Sequence, residues 1–183
     1  TLFSSWRRPC AFEKGYTVML ITPMDMPFLL RFSLEGLQRV DLTNCRRILV
    51  VPDPWGSDRG AALRRVLRDF DDPRLDIRPM GFARTRLTRM MKPPGSAATH
   101  WSCVVWGVEH VPTEYAFLHD ADAFHLDADG LERQYEEMRT RGMDTLGVTP
   151  RWDPFFLERG ITIPGTWELM FSTRWARRRS PYE

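Results

Sequence analysis

Short apolar runs alternate along this chain with longer stretches in which apolar residues recur every three or four positions. That is the pattern of strands interleaved with amphipathic helices. Thr17–Thr22 (TVMLIT) reads as a buried strand ended by Pro23, Asp25 and Pro27. Pro27 suits the first turn of a helix, and Leu30, Leu34 and Leu37 then fall on one helical face. Ile48–Val51 is a second buried strand, followed by the turn-rich segment Pro52–Gly60. Leu63, Val66, Leu67 and Phe70 mark a second helix, which Asp71, Asp72 and Pro73 stop, and Leu75–Arg78 is a weaker strand. Residues 81–96 are less regular, and helical spacing resumes with Trp101, Val104, Val105 and Val108. Tyr115–His119 is a fourth strand. Asp129 with Glu132 resembles a capping box ahead of the stripe Leu131, Tyr135 and Met138, and Gly142 fits that helix's end. Thr145–Thr149 and Glu168–Ser172 are further strand candidates, with Gly160, Pro164 and Gly165 suggesting a mobile loop between them.

Strands alternating with helices predict an α/β fold: a mostly parallel, Rossmann-like sheet with helices on both faces. In such folds ligands bind beyond the carboxyl ends of the strands. Here those positions hold Thr22, Pro23 and Asp25, then Asp53 to Asp58, then Asp120 to Asp122. No Gly-x-Gly-x-x-Gly or Walker sequence occurs at these junctions, which argues against a dinucleotide-binding domain or a P-loop NTPase.

Composition narrows the class. A chain of 183 residues is one domain with a real core. No apolar run is long enough to span a bilayer. Lys and Arg total 26 against 24 Asp and Glu, a balance that excludes a general nucleic-acid binder. Cys10, Cys45 and Cys103 are scattered and odd in number, which argues against a disulfide framework. With no signal-peptide pattern after Thr1, the expectation is a cytoplasmic domain, one that fits within a longer protein.

The sharpest chemical signal is YAFLHDADAF (115–124), a strand running into Asp120 and Asp122. If extended geometry held through them, both carboxylates would point to one side. Converging carboxylates repel unless a cation lies between them, and oxygen ligands of this kind suit Mg2+ or Mn2+. Acidic residues also simply end strands and cap turns, so neighbours matter. His119 and His125 flank the pair, and Asp127 and Asp129 follow it.

Three segments in order resemble the GT-A glycosyltransferases, in particular the large inverting family of cellulose, chitin and spore-coat synthases. They are LITPM (20–24), VVPDPWGSD (50–58) and VPTEYAFLHDADAF (111–124). The resemblance covers residues 17–172 and departs from the family at Pro52 and Trp55. It implies a metal-dependent transfer of a sugar from a nucleoside-diphosphate sugar, UDP favoured, to a carbohydrate or small-molecule acceptor. It also implies one domain over 1–183, with a nucleotide-sugar half at 17–125 and an acceptor half at 126–183 that leaves room for a continuation. A homo-oligomer is compatible with it.

By this resemblance Thr22, Pro23 and Asp53 line the base and ribose pocket, with Asp58 as the alternative to Asp53. Asp122 holds the metal, and Asp120 holds the ribose or the metal through water. One of Arg84, Arg86 and Arg89 meets the diphosphate, with His100 a further candidate. An inverting transfer needs a carboxylate to take the acceptor's proton. Either Glu168 does this or the base lies beyond Glu183; without a base, retention becomes the expectation. Trp152, Phe155, Phe156 and Trp167 suggest a sugar-stacking platform or core packing. Arg174, Arg177, Arg178 and Arg179 read as a solvated helix end. Two other functions fit the same elements. A sugar-phosphate nucleotidyltransferase would carry a basic, Gly-rich loop where TPMDMPFLL (22–30) stands. A non-catalytic scaffold with a decayed transferase fold would not bind a nucleoside diphosphate through metal.

Overall fold

Successive residues of a strand point to opposite faces, and in the first strand both sets are buried, so both faces of the sheet must be covered. The computed structural model describes residues 11–23, 26–53, 61–91, 97–123, 127–148, 154–160 and 168–178. Strand β1 (Glu13–Thr22) leads into α1 (Pro27–Leu37), β2 (Cys45–Pro52), α2 (Ala61–Arg68) and β3 (Leu75–Ile77). Then come α3 (Phe82–Met91), α4 (Ala97–His110), β4 (Thr113–Asp120) and α5 (Gly130–Arg141). The chain continues through β5 (Thr145–Gly147), α6 (Pro154–Glu158), β6 (Glu168–Ser172) and α7 (Thr173–Ala176).

The six strands form one sheet in the order β3-β2-β1-β4-β6-β5. β3, β2, β1 and β4 are mutually parallel; β6 runs antiparallel to β4, and β5 antiparallel to β6. Only β6 therefore opposes the rest, and the expected mostly parallel α/β sheet is found. On one face Tyr16, Val18 and Leu20 meet Leu30, Leu34 and Leu37 of α1, Leu63 and Val66 of α2, and Leu131, Tyr135 and Met138 of α5. On the other face Met19 and Ile21 meet Cys103, Val104 and Val108 of α4, with Ala176 of α7 alongside.

Several local expectations change. The irregular stretch after residue 81 contains α3, and α4 starts ahead of Trp101, a residue 47% exposed; Cys103 takes the inward place. The capping box does not form, because Asp129 makes no side-chain cap bond. Glu132 is drawn elsewhere: its Oε1 accepts from the Tyr16 hydroxyl at 2.8 Å and the Asn44 N–H at 3.0 Å, and its Oε2 from Asn44 Nδ2 at 2.7 Å. Gly142 does end α5, at φ 62° in the left-handed region that favours glycine. Arg177 is not solvated. It is buried, stacks over Phe12 and donates from Nη2 to Val111 O at 2.8 Å and from Nε to Val108 O at 3.0 Å, so it covers carbonyls at the end of α4. The loop predicted at 160–165 lies outside the described residues beyond Gly160.

Candidate functional site

Parallel register brings the carboxyl ends of three strands to one edge. Ile21 of β1 stands between Val51 of β2 and Asp120 of β4, and Thr22 pairs with Pro52. The Asp53 N–H then donates to Thr22 O at 2.8 Å, which extends the ladder by one residue and fixes Asp53 beside the end of β1. In the antiparallel β4–β6 register Glu168 lies directly opposite His119, so the start of β6 joins the same edge. The topology thus gathers Thr22, Pro23, Asp53, Asp120, Asp122 and Glu168.

The acidic pair does not continue the strand. β4 stops at Asp120, and a turn closed by the Ala123 N–H on Asp120 O, at 3.0 Å, carries Asp122 into solvent. The two carboxylates therefore differ in environment, contrary to the expectation of one extended, same-sided pair. Asp120 is largely buried; its Oδ1 is shielded from solvent, has no hydrogen-bond partner among the described residues, and lies 3.7 Å from His100 Nε2. Burial pushes its pKa up, His100 pulls it down and the Asp122 charge pushes it up again. The turn is held from α1: Ser33 Oγ lies 2.9 Å from Ala121 O and 3.0 Å from Leu29 O, so its one proton serves either carbonyl.

A shielded carboxylate oxygen without a hydrogen-bond donor, beside a second carboxylate, fits a hard divalent cation. Among the described residues no three His, Cys, Asp or Glu side chains converge as a metal-holding group. Magnesium-type sites often take only one or two carboxylates and fill the rest of their shell with water and phosphate oxygens.

Around the carboxylates, Thr22 is wholly buried with its hydroxyl oxygen unpartnered among the described residues, which leaves it for a ligand or a water. Pro23 and Asp53 are half-buried. Beneath Asp53, the Cys103 thiol of α4 is pushed up to about 12, first by burial and then by the Asp53 charge, so it stays protonated and inert. Burial also holds Glu168 above the usual carboxylate range.

Arg84, expected to be offered to the diphosphate, is committed elsewhere. It is 8% exposed, donates to Glu109 Oε2 at 2.9 Å and lies over the Trp106 ring. A charge in so buried a place must be paired, and α4 supplies the partner. Arg86 is exposed on α3. Asp25, Asp58, His125, Trp152 and Trp167, and the side chains of Arg89 and Phe156, lie outside the described residues. Sequence reasoning missed Ser33, whose only signal is a hydroxyl inside the apolar stripe of α1, and did not place His100 against Asp120.

No family model matches the chain, and no curated protein matches its sequence. Solved structures do. The mannosyltransferase PcManGT from Pyrobaculum calidifontis, in complex with GDP-Man and Mn2+, aligns with 94% of this chain and 50% of its own at 17% identity, with a TM-score of 0.64. The galactosyltransferase LgtC, in complex with donor and acceptor sugar analogs, aligns with 91% of this chain and 61% of its own at 9% identity and a TM-score of 0.61. Core-mannan synthase A from Aspergillus fumigatus, in its Mn/GDP form, aligns with 93% and 63% at 8% identity and a TM-score of 0.54. The chain spans between half and just under two thirds of these three proteins, and at such identities what is shared is the fold.

Proposed function

We propose that this chain, which has the fold of the GT-A glycosyltransferases, moves a sugar from a nucleoside-diphosphate sugar to an acceptor hydroxyl. The observation that carries the reading is the shielded Asp120 oxygen beside Asp122, at a sheet edge that also holds Thr22, Asp53 and Glu168. Fold likeness alone would not carry it, because one fold hosts many chemistries.

In this reading Thr22, Pro23 and Asp53 receive the base and ribose. Thr22 Oγ1 gains the partner it lacks, and Asp53 accepts from ribose or base donors. Asp120 and Asp122 hold Mn2+ or Mg2+, which when bound offsets the charge of the departing nucleoside diphosphate. Arg86 is the cationic candidate for the phosphates and His100 a further hydrogen-bonding one, since Arg84 is engaged by Glu109. Glu168 takes the proton from the acceptor oxygen as that oxygen attacks the anomeric carbon, which inverts the configuration. Burial raises its pKa, which makes it a stronger base than an exposed carboxylate. UDP is the favoured carrier, residues 17–125 form the donor half, and 126–183 the acceptor half. The buried free thiols Cys45 and Cys103 suit a reducing cytoplasm. Among the described residues no helix is long and apolar enough to cross a membrane.

Calorimetric titration of UDP, GDP and dTDP, each with and without Mn2+, tests the donor site on wild type and Asp122→Ala. One diphosphate should bind only with Mn2+ and lose that binding in the variant. Metal-independent binding, or none, would leave a non-catalytic scaffold as the better account.

A further inference from the structure

The outer surface of α1 and α2 carries side chains that the core does not use. Both helices lie on one sheet face, where Leu30, Leu34 and Leu37 join Leu63 and Val66 in a single core. Arg31 of α1 pairs with Asp69 just past α2, so the two helices run side by side. At 3.6 residues per turn, Phe28 and Phe32 stand opposite the buried leucines of α1, and Arg65 and Arg68 opposite Leu63 and Val66. All four therefore project outward from one surface, on helices roughly 10 Å apart. Phe28 is 53% and Phe32 49% exposed, with Met26 at 44% beside them. The two rings meet only edge to face, 6.3 Å between centroids.

The charge on this surface has a positive excess, with Arg31, Arg64, Arg65 and Arg68 against Glu35 and Asp69. The α2 sequence AALRRVLR holds Arg64, Arg65 and Arg68 and no acid. Arg31 is already matched by Asp69 and Glu35. Among the described residues no carboxylate forms an ion pair with Arg65 or Arg68. Paired aromatics beside unmatched arginines complement a surface that is apolar beneath and anionic on top.

The geometry points to an anionic lipid bilayer as the occupant of this face. Phe28 and Phe32 seat at the boundary between headgroups and acyl chains, and Arg65 and Arg68 meet lipid phosphates, which guanidinium groups bind bidentately. Because α1 starts just after β1 ends, docking holds the carboxyl edge of the sheet close to the bilayer. The inference is independent of the sugar-transfer reading.

Co-sedimentation of the chain with vesicles tests it, using phosphatidylcholine alone and phosphatidylcholine mixed with phosphatidylglycerol. The chain should partition onto the mixed vesicles, and that partition should fall as salt rises. Arg65→Glu with Arg68→Glu should weaken it by an order of magnitude or more, since each arginine near such a surface contributes about fivefold. Phe28→Ser with Phe32→Ser should weaken it similarly, while Met90→Ser, at an exposed position on α3, should not. Thermal melting confirms that each variant is folded. No partition, or partition that neither double variant alters, overturns the proposal. So does a dimer in sedimentation equilibrium that the phenylalanine variant dissociates, which would make the face a contact between two copies.

Discussion

Replacing Arg84 by Met separates a packing role from a phosphate-binding one. Arg84 and Glu109 are about one-tenth exposed each, and their contact is 2.9 Å. The substitution keeps most of the aliphatic stem but removes the guanidinium that lies over Trp106 and leaves Glu109 buried without its partner. Breaking one side of a buried pair costs about 3–5 kcal/mol, or roughly 6–20 °C in Tm for a chain of this size. Burial already holds Glu109 above the usual carboxylate range, against the pull of Arg84. Without Arg84 it rises further. A carboxylate whose folded pKa exceeds its unfolded one destabilises the fold only while ionised. The penalty is therefore full above the raised value, shrinks as pH falls through it, and vanishes below about 4.3, the ordinary glutamate value. Denaturant melts of wild type and variant across this range read it directly. Arg84→Met with Glu109→Leu should regain most of the loss, because it removes both charges from the interior. That double variant should also bind a nucleoside diphosphate as wild type does. A pH-independent loss, no recovery in the double variant, or a stable double variant that no longer binds the diphosphate would refute the reasoning.

Two further outcomes follow from the site and its support. Glu168→Gln should lower kcat on the order of 100- to 10,000-fold with little change in donor affinity. The acid limb of the wild-type rate profile should lie above the range of an exposed glutamate, because burial raises the Glu168 pKa, and it should disappear in the variant; an unshifted limb would remove Glu168 as the base. Gly107→Ala would set a Cβ 2.7 Å from Met19 Sδ and 3.2 Å from its Cγ, in a core where Met19 is fully buried. Overpacking of this kind costs about 1–3 kcal/mol. Chemical denaturation should show that loss, reduced when Met19→Val is added, and a neutral Gly107→Ala would mean that α4 does not sit tightly on β1.

What was legible in the sequence was whatever an apolar period writes. The runs at Thr17–Thr22, Ile48–Val51 and Tyr115–His119 gave the strands their places, and with them the sheet edge where Thr22, Asp53 and Asp120 collect. What was hidden rests on polar groups that point inward. Helix α3 escaped notice because an inward-facing member is Arg84, held by an ion pair rather than by apolar contact. Glu132 has the spacing of a capping box, yet Tyr16 and Asn44, far away in sequence, make a better set of donors for it. Arg177 looked like one of four solvated arginines, and only tertiary structure brings the end of α4 within its reach. The bend between Asp120 and Asp122 was equally invisible, since a two-residue alternation reads alike in a strand and in a turn.

These hidden groups converge on α4. Its Gly107 permits close approach to Met19 of β1, Glu109 ties it to α3, and Arg177 ties its carboxyl end to α7. Toward its other end His100 faces Asp120 and Cys103 underlies Asp53. His100 and Glu109 are nine positions apart, about 14 Å along a helix. His100 beside Asp120 and Glu109 beside Arg84 are therefore carried on one helix and share its support. Reactions that depend on placing a leaving group and an acceptor to within an ångström are sensitive to displacement of such a support. The buried polar groups of α3, α4 and α7 fix α4, the helix that carries His100 and Cys103, against the rest of the fold.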